Sequence, residues 1–300
     1  MSQMPARRVL EKIDQAARRL AASGIESARL DAEILMAAAA GATRAAVITG
    51  SIDLTPAALD KFDALIARRE KREPVAYLLG RKEFYSLDFE VSPAVLIPRP
   101  ESELVVAAAL EVIAAAPDAR VLDIGTGSGA IAVAIAVNAA RAHVTGVDIS
   151  ADAIAVASRN AARHRVEDRM RLRRGDCFDM LDGGPALGSF EVIVSNPPYL
   201  DDTEIAALEP DVRAFEPRLA MSAGAGGLDV FRAIAAGAPR HLAHDGQLIV
   251  EVAAGQAAAV AKLFAQAGLR VVSVINDLAG QPRVVRAEME ESGGSSQWRK

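Results

Sequence analysis

The chain has 300 residues, 51% hydrophobic, 24% charged and only 4% aromatic, with a formal net charge of −5. That is enough apolar side chain for a core of aliphatics and alanine, and enough length for a catalytic domain with a smaller companion. The acidic balance lacks the Lys and Arg surplus that neutralises a long phosphate backbone, so no stable nucleic-acid binding is expected despite a basic stretch at 163–174.

Cys177 is the single cysteine, which excludes an intramolecular disulfide framework and suits the cytoplasm. No run reaches the roughly 18–20 apolar residues that span a bilayer, and no membrane association is expected. The Ala- and Arg-rich start contains Glu11 and Asp14, which fits an amphipathic helix better than a transit peptide.

From Val9 to about Arg72 the apolar residues recur at helical spacing: Leu10, Ile13, Ala17 and Leu20, then Leu30, Ile34 and Leu35, then Leu59, Phe62 and Ile66. Thr55 and Pro56 supply an N-cap and a first helical residue, and Pro74 ends the helix carrying residues 68–72. Residues 1–82 are therefore read as a small helical domain. At 83–98, Phe84, Leu87, Phe89, Val91, Val95, Leu96 and Ile97 sit among the turn residues Ser86, Asp88, Ser92 and Pro93, the pattern of a β-hairpin linker.

Residues 101–116 return to helical character. Short apolar runs then follow at 120–124, 143–148, 170–173, 190–195, 247–252, 269–275 and 283–288, separated by Ala-rich helical segments such as 130–140 and 151–164. Such alternation predicts an α/β, Rossmann-like domain over 99–290, with a mainly parallel seven-stranded sheet covered on both faces and an antiparallel pair at one edge. Residues 291–300, polar and Gly/Ser-rich, are read as a disordered tail; Trp298 within it has no assigned role.

The first strand of the sheet leads into Asp123-Ile124-Gly125-Thr126-Gly127-Ser128-Gly129-Ala130. Glycines let a ligand approach the backbone, and the following helix offers free amide donors. Asp148 ends the next strand, 19 residues after Gly129, where a carboxylate can take both ribose hydroxyls of an adenosine. The glycine spacing alone also fits a dinucleotide. Asp123 separates the two, because a carboxylate beside the loop repels a pyrophosphate but anchors, directly or through water, the ammonium of a methionine moiety. The pattern thus points to S-adenosylmethionine. Asp176 ends a third strand and suits the adenine amino group, with Cys177 and Phe178 packing on the ring; Cys177 is otherwise a small hydrophobe.

Asn196-Pro197-Pro198-Tyr199 follows the fourth strand directly. The two prolines stiffen a strand end and remove two backbone donors. The Asn196 side-chain oxygen and the Pro197 carbonyl can accept both N–H bonds of a planar NH2 group, fixing it for attack and stabilising the positive charge that grows on nitrogen. Tyr199 offers a ring face to the planar substrate. Asn196, Pro197 and Tyr199 are the candidate catalytic residues. His241 and His244 have no third ligand in view, and no metal is expected.

The loop and tetrapeptide together resemble class I methyltransferases that act on amino groups. Glu73-Pro74-Val75-Ala76-Tyr77-Leu78-Leu79-Gly80, Glu83-Phe84-Tyr85, Val95-Leu96-Ile97-Pro98-Arg99-Pro100-Glu101, Glu216-Pro217, Gly226-Gly227-Leu228-Asp229 and Asp277-Leu278-Ala279-Gly280 with Arg283-Val284 narrow this. They resemble the peptide chain release factor glutamine methyltransferase family. The resemblance implies methylation of the side-chain amide of the glutamine in the Gly-Gly-Gln motif of class I release factors. It further implies cofactor contacts at Gly125, Thr126, Gly127, Ser128, Gly129, Asp148 and Asn196, and substrate contacts at Asn196, Pro197, Pro198 and Tyr199.

Two positions depart from the family pattern: Ser102 stands where threonine is frequent, and Cys177 where some members place a tryptophan. The helical domain is the expected docking site for the release factor, and a monomer is expected. The alternatives left open are an adenine amino methyltransferase, an enzyme acting on a ribosomal-protein glutamine, a nicotinamide-dependent dehydrogenase and a non-catalytic scaffold.

Overall fold

The structure, a computed structural model, describes residues 6–179 and 190–290; the segment read as a tail, with Trp298, lies outside them. The chain divides into two units, Met1–Arg81 with Leu208–Phe215, and Lys82–Ala207 with Glu216–Lys300.

The first unit contains α1 (Ala6–Ala22), α2 (Ala28–Ala40), α3 (Arg44–Ile48), α4 (Pro56–Glu70) and α5 (Val75–Leu79). Thr43 and Thr55 cap α3 and α4 by accepting from the Ala46 and Ala58 amides at 3.2 and 3.1 Å. Its core is Val9, Ile13, Leu20, Leu35, Met36, Phe62 and Ile66. Each fully buried side chain of this kind contributes roughly 1.5–3 kcal/mol.

The α2 face differs from the expected one. Leu30 is 41% exposed, while Asp31 and Glu33 are buried. The reason is ionic: Arg69 Nε donates to Asp31 Oδ2 at 2.8 Å, and the Arg29 and Arg44 guanidinium groups close on Glu33 at 2.7 and 2.9 Å. Arg69 also donates to Asp211 Oδ2 at 2.6 Å, and Arg72 pairs with Asp211. Those bonds explain why 208–215, far away in sequence, groups with the helices.

The second unit opens with the hairpin β1 (Arg81–Phe84) and β2 (Leu87–Glu90), then α6 (Glu103–Ala115), β3 (Arg120–Ile124), α7 (Ala130–Asn138), β4 (His143–Asp148), α8 (Ala151–Arg163), β5 (Met170–Arg174) and β6 (Phe190–Ser195). α9 (Asp202–Ala207) follows. The next helix, α10 (Pro210–Phe215), lies in the segment grouped with the first unit. The second unit resumes with α11 (Asp229–His241), β7 (Leu242–Glu251), α12 (Ala257–Gln266), β8 (Leu269–Asn276) and β9 (Pro282–Met289).

The seven strands run β5-β4-β3-β6-β7-β9-β8. All neighbours from β5 to β7 are parallel, and β9 is antiparallel to both β7 and β8. Order reverses between β3 and β6, the kind of switch point where open parallel sheets bind ligands at their carboxyl ends.

The hairpin is packed on this sheet domain. Asn160 of α8 accepts from the Glu90 amide at 2.7 Å and donates to the Glu90 carbonyl at 2.9 Å and the Ser128 carbonyl at 2.8 Å. One buried amide therefore ties hairpin, helix and glycine loop together.

Candidate active site

At the carboxyl ends of the strands lies a cavity of about 310 Å3, the size of a small-molecule site. The glycine loop forms one wall. Gly125, Gly127 and Gly129 have φ of +71°, +56° and +78°, a conformation that disfavours side chains. The amides of Gly125 and Thr126 donate to the Val147 carbonyl at 2.8 and 3.0 Å, binding the loop to the end of β4. Gly129 is further fixed by contact: an added Cβ would sit 3.1 Å from that of Ala157.

Asp148 accepts from the Gly127 amide at 2.9 Å and the Ser150 amide at 2.9 Å, and faces the cavity. Each carboxylate oxygen has more than one lone pair, so both retain capacity for a ligand hydroxyl. Asp123 is almost wholly buried. Its Oδ2 accepts from the Thr126 hydroxyl at 2.7 Å, and its Oδ1 has no hydrogen-bond partner among the described residues. Burial pushes its carboxyl up to about 7, the nearby Asp148 charge adding to this and the Thr126 hydroxyl opposing it. Asp123 thus departs from its expected place in one respect: it lies behind the cavity lining rather than in it, next to the lining residues Ile124 and Thr126.

Beyond the loop the cavity is lined by Ile149, Asp176 and Cys177. Phe178 departs from its expected place. It is 5% exposed, outside the cavity lining, and stacked on His241 with ring centroids 4.6 Å apart. Gly237 of α11 makes the slot, since a Cβ there would meet the Phe178 ring at 2.1 Å. The apolar side chains lining this side of the cavity are those of Cys177 and of Ile149, which is 46% exposed and follows the strand-end acid directly. Burial raises the Cys177 thiol to about 12, so no thiolate nucleophile is present at neutral pH.

Asn196, Pro197 and Pro198 line the opposite side. β6 is held beside β3 by Ser195, whose hydroxyl donates to the Ile124 carbonyl at 2.7 Å, so the tetrapeptide emerges next to the glycine loop. Its far end is fastened too: Gln256 Nε2 donates to the Tyr199 carbonyl at 2.9 Å, and Gly227 leaves room for that carbonyl. The Tyr199 ring is half-buried against the core on the α11 and α12 side of the sheet and lies outside the cavity lining. Burial, with the Glu251 charge, raises its phenol to about 12. Asn196 Nδ2 donates to Ser102 Oγ at 3.0 Å, and Ser102 donates to Glu251 Oε2 at 2.5 Å. Neither Ser102 nor Glu251 stood out in the sequence as part of the site.

Arg99 pairs with the buried Glu216 at 2.5 Å, and Glu216 also accepts from the Ile97 amide at 3.0 Å. The pair holds the Pro98–Pro100 turn in place within the sheet unit. Among the described residues no group of three His, Cys, Asp or Glu is placed to hold a metal, and no helix is long and apolar enough to cross a membrane.

A switch point with a glycine loop, an acid at the next strand end and a stiff Asn-Pro-Pro strand end around one cavity is the arrangement of an S-adenosylmethionine-dependent methyltransferase. Residues 104–209 match the Methyltransferase small domain family and residues 11–80 the PrmC N-terminal domain family. The release factor glutamine methyltransferase of Cereibacter sphaeroides is 43% identical, over 94% of this chain and 99% of that one. That of Pseudomonas aeruginosa is 46% identical over 86% and 91%. By these matches the chain belongs to the release factor glutamine methyltransferase family. Among solved structures, the hMettl16 catalytic domain superposes with a TM-score of 0.52 at 13% identity, over 76% of this chain and 83% of that one, a likeness of fold alone.

Proposed function

We propose that the chain methylates the side-chain amide nitrogen of the glutamine in the Gly-Gly-Gln motif of class I peptide chain release factors, using S-adenosylmethionine. The observation that carries this reading is the Asn196 side chain. Its Nδ2 is engaged by Ser102, while Oδ1 accepts no hydrogen bond from the described residues at the cavity wall. An amide held this way accepts from an incoming NH2 group and rejects groups that can only accept.

The cofactor supplies a sulfonium-bound methyl group. Asp148 would hold its ribose, Asp123 its ammonium, directly or through water, and the Gly125–Gly129 backbone its methionine side. Ile149 and Cys177 would cover the adenine, with Asp176 beside its amino group. Asn196 and the Pro197 carbonyl orient the substrate nitrogen, whose lone pair is delocalised into the amide and which is a weak nucleophile until held in line. As nitrogen attacks, positive charge grows on the NH2 group, and both acceptors bind it more strongly than in the ground state. No strong base is required beforehand: the N–CH3 bond would form as the S–CH3 bond breaks, leaving S-adenosylhomocysteine as a neutral thioether, and the nitrogen proton, acidic only on alkylation, would pass to water. Tyr199, its phenol kept neutral, stiffens the tetrapeptide by packing.

The helical unit is assigned to docking the release factor, since one glutamine cannot supply the area of a specific interface. A cytoplasmic monomer is the matching form.

The test is incubation with labelled S-adenosylmethionine and an unmodified class I release factor, its loop Gln→Ala variant, or adenine-rich DNA, followed by mass mapping. Label confined to the loop glutamine supports the reading. Label on DNA, or on a ribosomal-protein glutamine in its place, overturns the substrate and leaves the enzyme class standing.

A further inference from the structure

We propose that Glu251 and Ser102 are positioning residues that hold the Asn196 amide in the one orientation able to accept from a substrate NH2 group. This rests on the glutamine-methylating function proposed above, and deepens it.

An asparagine side chain presents an acceptor at one end and a donor at the other, with almost the same shape. Flipped by 180°, Asn196 would offer NH2 to an NH2 substrate, two donors facing each other. Something must decide between the two orientations. The Ser102 hydroxyl alone cannot, because it donates or accepts equally well.

Glu251 removes that freedom. An ionised carboxylate only accepts, so Ser102 must give its single proton to Glu251, 2.5 Å away. Ser102 Oγ is then an acceptor towards its other neighbour and takes Asn196 Nδ2–H at 3.0 Å. Polarity is thus fixed at Glu251 and transmitted through two hydrogen bonds, and Oδ1 is the end left for substrate. All three groups belong to the sheet unit: Glu251 at the end of β7, Asn196 just past β6, Ser102 at the start of α6. β6 and β7 are paired with Ser195 opposite Val250, so the relay spans neighbouring strand ends. Glu251 and Ser102 are 2% and 4% exposed, which keeps water from offering an alternative partner.

The relay has a protonation limit. A protonated Glu251 can itself donate to Ser102, freeing the hydroxyl proton for Asn196 Oδ1 and releasing the flip. Burial raises the Glu251 carboxyl to about 7, opposed by the Ser102 hydrogen bond. The charged and titratable groups facing it are Glu101, which raises it further, Arg283 of β9 and Arg99, which lower it, and the Tyr199 phenol. Turnover at saturating cofactor should therefore rise with pH through about 7.

The experiment compares the full chain with E251Q, S102A and S102T. Steady-state kinetics on a release factor are run at saturating S-adenosylmethionine, cofactor affinity is measured by calorimetry, and the Asn196 side-chain NH2 resonances, assigned by their loss in Asn196→Ala, are followed against pH. E251Q and S102A are expected to lose roughly 10- to 100-fold in kcat with cofactor Kd within about twofold, whereas S102T, which keeps the hydroxyl, stays within about threefold. The pH rise in kcat and the titration of the Asn196 resonances should both be absent in E251Q. E251Q or S102A turning over within twofold of the unaltered chain overturns the relay, as does an Asn196 signal whose titration survives in E251Q. Should E251Q not fold, the S102A and S102T pair decides alone. An unaltered chain that methylates no release factor defeats the functional reading instead, while the resonances, which need no acceptor, still report on the relay.

Discussion

Asp123→Asn should stabilise the ligand-free protein and at the same time cripple cofactor binding. Asp123 is 1% exposed, with one oxygen unpartnered and its carboxyl raised from an ordinary 3.8 to about 7. The folded state therefore binds this proton more tightly than the unfolded chain does. The stability the protonated acid contributes is whole below about pH 4, declines as pH rises, and is gone above about 7. Three pH units at 1.36 kcal/mol each make the loss on the order of 4 kcal/mol.

Asparagine does not titrate, but its NH2 group would sit where Oδ1 now has no partner, costing roughly 1–3 kcal/mol. The net gain at pH 8 is then about 1–3 kcal/mol, or several degrees in Tm for a unit of this size, and at pH 5 it shrinks or reverses. Losing a buried carboxylate opposite a positive ligand group costs roughly 2–5 kcal/mol of affinity, 30-fold or more. Thermal melts of both proteins at pH 5 and pH 8, with calorimetric titration of S-adenosylmethionine, measure both effects. A variant less stable than the unaltered chain at pH 8, or one binding cofactor with unchanged affinity, would refute the reasoning.

Gly129→Ala should lose about 1–3 kcal/mol, because φ is +78° and the new methyl would press on Ala157 at 3.1 Å; urea denaturation reads this, and full stability would show that the loop relaxes freely. Arg69→Met should cost about 3–5 kcal/mol, since it strands the buried Asp31 carboxylate 2.8 Å from the lost guanidinium. Adding Asp31→Asn should restore much of that loss in the same denaturation assay, and its failure to do so would point to lost packing rather than an orphaned charge.

The parts of the sheet written in continuous residues were legible. β3, β4 and β6 lie at the expected positions because each is a short apolar run followed by a turn or a helix start. The glycine loop and tetrapeptide were legible for the same reason, as their chemistry is local. What escaped depends on partners distant in sequence. Glu251 reads as one acid at a strand end until β7 is placed beside β6, 149 residues from Ser102. Leu30 and Asp31 trade places on α2 only because Arg69 lies opposite. Phe178 leaves the cavity for a slot opened by Gly237, a helical glycine that could have been asked what fills its missing side chain. Ile149 had a local signal, an apolar residue exposed just after a strand-end acid.

Asp123 and Glu251 share a logic that links stability to the chemistry proposed above. They lie near the carboxyl ends of β3 and β7, on either side of β6, which carries Asn196. Burial holds both acids near 7, so each, when ionised, costs the fold stability that an amide or apolar residue would not. Among the described residues neither carboxylate is matched by a close cation: Asp123 has one hydroxyl, Glu251 one hydroxyl and the weaker pull of Arg283 and Arg99. A sequence selected for stability alone would neutralise such positions. Keeping them confines the cost to the two places where the proposed chemistry uses an acceptor-only group, behind the glycine loop and behind the tetrapeptide.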